Sequence, residues 1–156
     1  MPRKEWIWKI VGSGAVYLFL FIVVGVVIYT PIAKLLDASA YASEQASLPA
    51  SAAGLVFPLE LLRGIVWATL AAVAAVSFPF NWKKTALAAG LLLAVPVSTS
   101  IFLSNAIVPS LQLAHFVELF VENFLLGVIA VWVLQLHSRL SALPIDTKEA
   151  KTGRVT

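Results

Sequence analysis

Apolar residues gather into four long stretches, 10–29, 58–78, 85–107 and 111–136, and the polar positions between them are few. A run of about 18 or more apolar residues is long enough to cross a bilayer as a helix. Within lipid a helix satisfies its own backbone hydrogen bonds, which an open strand or loop does not. The expected fold is therefore all-α, an integral membrane four-helix antiparallel bundle filling residues 1–142. Connections of about 6 and 3 residues join the last three spans and make them antiparallel neighbours. Residues 31–57 form the one sizeable loop. It is rich in Ala and Ser, and it is expected to be a solubilising connector with at most a short interfacial helix around Ile32–Tyr41. The stretch 143–156 is polar and is expected to be a disordered tail.

Direction follows from the basic residues. Arg3, Lys4 and Lys9 precede the first span, Lys83 and Lys84 lie between the second and third, and Arg139, Lys148, Lys151 and Arg154 follow the fourth. With four spans these all share one side, which the positive-inside rule places in the cytoplasm. Both termini are thus expected to be cytoplasmic in a multi-pass protein of the cell (cytoplasmic) membrane. Trp6, Trp8, Trp82 and Trp132 fall near that interface, as a belt of aromatic anchors should. The first span resembles a signal sequence in its basic start and its Ala38-Ser39-Ala40 stretch, but its apolar run exceeds the usual 7–15-residue core. A retained anchor is expected.

Composition agrees with this class. Hydrophobic residues make up 60% of the 156 and charged residues only 12%, about half the charged share of a soluble domain. The net charge of +3 does not imply nucleic acid, because the basic residues sit at span ends rather than on one solvated face. The absence of cysteine excludes disulfides and thiol chemistry.

Against this apolar background the polar residues of two spans stand out. In the second span Glu60, Arg63 and Trp67 are spaced three and four apart. In the fourth, His115, Glu118 and Glu122 have the same spacing and share one helical face, with Asn123 beside them. Pro58 is expected in the first turn of its helix, and Ser110 as an N-cap. At about 1.5 Å per residue, Arg63, His115, Glu118 and Glu122 lie roughly 8, 6, 10 and 16 Å below the outer surface. Ser98, Thr99 and Ser100 occupy the outer half of the third span, next to Pro96, which should kink that helix and free a carbonyl near Leu92. Either the three hydroxyls satisfy the opened backbone, or the kink opens a cavity beside the charges.

The fourth span still inserts. Its fourteen Val, Leu, Ile and Phe residues supply roughly −4 to −8 kcal/mol, against about +3 kcal/mol for each acid at the centre. That margin is small, so a partner for the acids is expected, and Arg63 is the nearest cation. A contact from Arg63 to Glu118 is the first expectation, with Glu122 or Glu60 second. Gly64, Ala68, Ala72 and Ala75 make a small-residue face on the second span, suited to a further helix of a second copy or a partner subunit.

The residue types narrow the chemistry without naming it. His115, Glu118 and Glu122 have the donor types of a metal site, but only Glu60 stands ready from another helix and Arg63 would repel a divalent ion. No metal and no cofactor are expected. The two histidines lie on one span, which excludes a haem held between helices. The leading expectation is an accessory bundle organised by a buried polar cluster. The alternatives are a transporter or sensor of a proton, cation or small solute, with Glu122 as the responsive group, and an outer-leaflet enzyme using His115, Glu118 and a serine of the third span.

Overall fold

The computed structural model describes residues 3–47, 50–77 and 81–140, and these contain no strand. Helix α1 (Arg3–Val24) passes through a π-helical turn, Gly25–Tyr29, into α2 (Thr30–Ser47). Helices α3 (Ala50–Ser77), α4 (Trp82–Thr99) and α5 (Gln112–Leu140) follow, with 3-10 turns at Ser100–Leu103 and Pro109–Leu111 between the last two. Four of these stretches are long and apolar enough to cross a membrane. Residues 143–156 and the side chains of Trp6 and Ala75 lie outside the described residues.

Helix α5 packs against α4, α1 and α3, and α3 also packs on α1 and α4. Two pairs of glycines set the closest crossings. At Gly127 an added Cβ would stand 2.7 Å from the Cα and N of Gly90, so α4 and α5 meet backbone to backbone. At Gly64 it would stand 2.6 Å from Tyr17 Cβ and 3.0 Å from the Gly14 carbonyl, which brings α1 onto α3. Around these crossings the core is built of small residues, with Ala74, Ala86, Ala89 and Val131 near one end and Ala71, Leu93 and Ala130 in the middle. Lipid tails are as apolar as leucine, so close packing of small residues is what draws such helices together. The expected docking face is used in this way: Gly64, Ala68 and Ala72 are buried inside the chain itself.

The helical stretch from Ile7 to Ser47 contains an apolar segment long enough to cross a membrane, yet its 41 residues would reach about 60 Å as a straight helix, twice the thickness of the hydrocarbon core. It is broken at Asp37, whose backbone is extended (φ −159°, ψ 91°). Beyond the break the helix turns back. The hydroxyl of Tyr29 donates to the carboxylate of Glu44, two groups that a straight helix would hold roughly 22 Å apart. Asp37 starts the returning segment as an N-cap: its Oδ1 accepts from the Ala40 N–H at 2.9 Å and the Ser39 hydroxyl at 2.7 Å, and its Oδ2 from Ser110 at 2.9 Å. Residues 38–47 thus form a cap tied to the start of α5. Replacing the carboxylate in Asp37→Ala should loosen this cap. Hydrogen exchange at the Ala40 amide should rise several-fold while amides of α4 and α5 stay protected; unchanged exchange at Ala40 would refute the tie.

Several local expectations are corrected. Of the segment 31–57, residues 31–47 and 50–57 are helical, so the helix expected around Ile32–Tyr41 is longer and broken at Asp37, and the last eight residues belong to α3. Pro58 lies well inside α3, which starts at Ala50. Ser110 does not cap its own helix; Val108 holds that position, with Pro109 following, and the Ser110 hydroxyl goes to Asp37. Pro96 lies inside α4, which ends at Thr99. The hydroxyls of Ser98, Thr99 and Ser100 donate to the carbonyls of Ala94, Val95 and Val97, respectively, rather than to that of Leu92. A groove of about 450 Å³ does open beside Pro96, between α3 and α4, but Trp67, Leu70, Val73, Leu93 and similar groups line it and no charged residue does.

Candidate functional site

Three elements bring polar groups together beneath the cap. Helix α5 presents His115, Glu118 and Glu122 on one face, as their spacing requires. The π turn of the first span presents Tyr29, and the cap presents Glu44. His115 stands at the centre. Its Nε2 lies 3.0 Å from Glu44 Oε1 and its Nδ1 lies 3.3 Å from Glu118 Oε2. Tyr29 stacks on the imidazole with centroids 4.4 Å apart and donates its hydroxyl to Glu44. Tyr41, from the cap, packs against Tyr29 at 6.0 Å and has Lys34 above its ring at 5.5 Å. Gly25 leaves room for the Glu118 carboxyl: an added Cβ there would lie 3.3 Å from Oε1. Single π turns within α-helices recur at functional sites, where they re-aim a side chain; here the turn ends on Tyr29.

Exposure falls along this sequence of groups. The Glu44 side chain is 30% exposed and that of His115 18%, whereas Glu118 is nearly buried and Glu122 is completely so. Neither oxygen of Glu122 has a hydrogen-bond partner. Its neighbour across the α1 interface is Tyr17, also fully buried, whose hydroxyl interacts with the Glu122 carboxyl without a well-formed hydrogen bond. Asn123, on the adjacent face, donates to the Leu119 carbonyl at 2.6 Å and leaves its own oxygen unpaired. Buried polar groups are nearly always paired, which sets the unpartnered carboxyl of Glu122 apart from most of the core.

The expected ion pair between Arg63 and Glu118 is not made. Arg63 pairs with Glu60 on its own helix, at 3.4 Å, and its guanidinium lies 5.9 Å from the centre of the Tyr17 ring. The i,i+3 geometry puts Glu60 within reach at little conformational cost, while Glu118 is already occupied by His115. Arg63 acts on Glu122 only through space. Trp67 lies one turn further along α3 and packs on Ala71, Leu93 and Ala130. Ser98, Thr99 and Ser100 are bound to their own helix and do not join the cluster.

Sequence reasoning missed Glu44, Tyr29 and Tyr17. Glu44 was hidden because it reaches His115 across 71 positions of sequence, and only the reversal at Asp37 makes that contact. Tyr17 had a visible signal. Lys9, Ser13 and Tyr17 recur every four residues along a span otherwise free of charge, and Ser13 and Tyr17 are buried. Among the described residues no group of three or more His, Asp or Glu side chains converges on a point that would hold a metal ion. The reason is geometric: Glu44 and Glu118 engage opposite nitrogens of one ring, so they cannot meet that ring at one ion.

Comparison with protein-family models, with curated proteins and with solved structures finds no match to this chain. Its reading therefore rests on its own residues.

Proposed function

We propose that the protein is a multi-pass membrane protein that takes up protons from the outer face of the membrane onto Glu122. The observation that carries this reading is the fully buried, unpartnered carboxyl of Glu122 at the end of a descending series, Glu44, His115 and Glu118. His115 joins Glu44 to Glu118, and Glu122 lies one helical turn deeper on the same face; an imidazole that contacts a carboxylate through each nitrogen can accept a proton on one side and release it on the other. The distribution of Lys and Arg supports an orientation with both termini in the cytoplasm and the cap outside.

An accessory role drew its support from a lock between spans, and Arg63 pairs within its own helix instead. An outer-leaflet hydrolase needs a free imidazole nitrogen beside a serine. Both nitrogens of His115 face carboxylates, and the hydroxyls of Ser98 and Ser100 are spent on α4.

The test is an infrared difference spectrum of protein in lipid vesicles after a change of external pH. One protonated-carboxyl band should appear or vanish in the wild type and be missing in Glu122→Gln. A pH-silent wild type, or a band that survives in the variant, would remove Glu122 from the function.

A further inference from the structure

The polar groups do not stop at Glu122. On α1 the side chains of Lys9, Ser13 and Tyr17 follow one another at i, i+4 and i+8, a spacing that keeps them on one helical face. Tyr17 and Ser13 are buried, at 0% and 7% exposure, and the Tyr17 hydroxyl lies near Glu122 while neither group has a formed hydrogen bond. The amine of Lys9 is also enclosed and has no hydrogen-bond partner. Because α1 runs from the termini end toward the cap, Ser13 and Lys9 lie in the half of the bundle on the far side of Glu122 from the cap. Beyond Asn123, the buried residues of α5 among the side chains described are Leu126, Gly127, Ala130 and Val131.

From Lys9 to Tyr29 the helix climbs twenty residues, about 30 Å, which equals the hydrocarbon thickness of a bilayer. Polar groups therefore occur at intervals across the whole of it: Glu44, His115 and Glu118 on the cap side, Glu122 and Tyr17 in the middle, Ser13 and Lys9 toward the termini. The steps on α1 rise about 6 Å each, a spacing that transfer along this face would have to bridge by water.

We propose that this series is a transmembrane proton path, with Tyr17 as the group that hands the proton from Glu122 to the half of the membrane lined by Ser13 and Lys9. The proposal rests on the uptake of protons by Glu122 and extends it from a one-sided response to transfer across the membrane. In each step a proton leaves one oxygen or nitrogen as another arrives from the opposite side, so no oxidant or further reactant is consumed. The groups facing the Tyr17–Glu122 junction favour protons over metal cations. Arg63 lies over the Tyr17 ring and acts on Glu122 by its charge, Glu60 is held by Arg63, and Glu118 is held by His115. An ion would need to shed its water and pass the guanidinium, whereas a proton moves by exchange of hydrogen bonds.

Vesicles containing the purified protein and an internal pH dye would be subjected to a potassium-diffusion potential, with Glu122 followed by infrared in the same samples. The wild type should acidify the lumen under an inward potential, and replacing external sodium by choline should not change the rate. Tyr17→Phe keeps the ring that packs on Gly64 and removes only the hydroxyl; it should lower the flux at least ten-fold while the Glu122 band still responds to external pH. Ser13→Ala should lower it several-fold. A wild type in which Glu122 responds but no flux occurs would overturn the path and leave the uptake reading standing. Undiminished flux in both Tyr17→Phe and Ser13→Ala would overturn the route along α1. A Glu122 that never responds would overturn both.

Discussion

Gly127→Val should separate α4 from α5 and cost more stability than any substitution in the polar cluster. A Cβ at Gly127 would stand 2.7 Å from two backbone atoms of Gly90, and backbone inside a helix has no rotamer by which to retreat. The helices must move apart by roughly 1 Å to restore ordinary contact distance, and dispersion falls steeply over such a gap. Ala86, Ala89, Ala130 and Val131 would lose contacts along with the glycines. Overpacking a well-filled core costs about 1–3 kcal/mol and occasionally more; the upper end is expected at this crossing, because the contact is backbone to backbone. Thermal or sodium dodecyl sulfate unfolding from mild detergent measures it. Gly12→Ala is the control, since an added Cβ there meets nothing within 4 Å, and it should be neutral or slightly stabilising. If the two variants unfolded alike, the close crossing would be wrong.

His115→Phe should disconnect Glu122 from the outside. Phenylalanine preserves the ring stacked on Tyr29 at 4.4 Å and abolishes the two nitrogens that face Glu44 and Glu118. The protonation of Glu122 after an external pH jump should then slow by at least ten-fold, although its final extent should be little altered, because a broken path changes rate and not equilibrium. Glu44→Gln should have a smaller effect: its side chain is 30% exposed, and water can take its place at the rim. The same variants also weaken the hold of the cap. Asp37→Ala separates the two causes, since it loosens the cap without touching a relay group. A normal rate in His115→Phe would mean that protons reach Glu122 by another way.

Helical periodicity made part of the site visible before any coordinates. His115, Glu118 and Glu122 share a face because their spacing follows the helical repeat, and their common direction needs no partner to establish it. The choice of partners was not visible. Arg63 had three carboxylates within reach by depth alone, and the one on its own helix won because it costs the least ordering. Glu44 stood in a segment rich in Ala and Ser whose bland composition gave no sign that a capped helix would fold it back over His115. The polar stripe of α1 was legible in its fourfold spacing but was obscured by the stretch of Val, Leu and Phe in which it lies.

The sequence by itself determined the four apolar helices, the side of each helix on which the polar residues fall, and the clustering of positive charge at one set of ends, because these depend on local periodicity and on the cost of leaving backbone or charge in lipid. The tertiary structure alone decided which helices touch, that Glu44 and Tyr29 close over His115, and that Glu122 is buried beside Tyr17 with no arginine paired to it. Those outcomes depend on close approach at Gly64, Gly90 and Gly127 and on one break at Asp37. They are properties of surfaces far apart in the chain, and a linear pattern does not encode which of several fitting surfaces will meet.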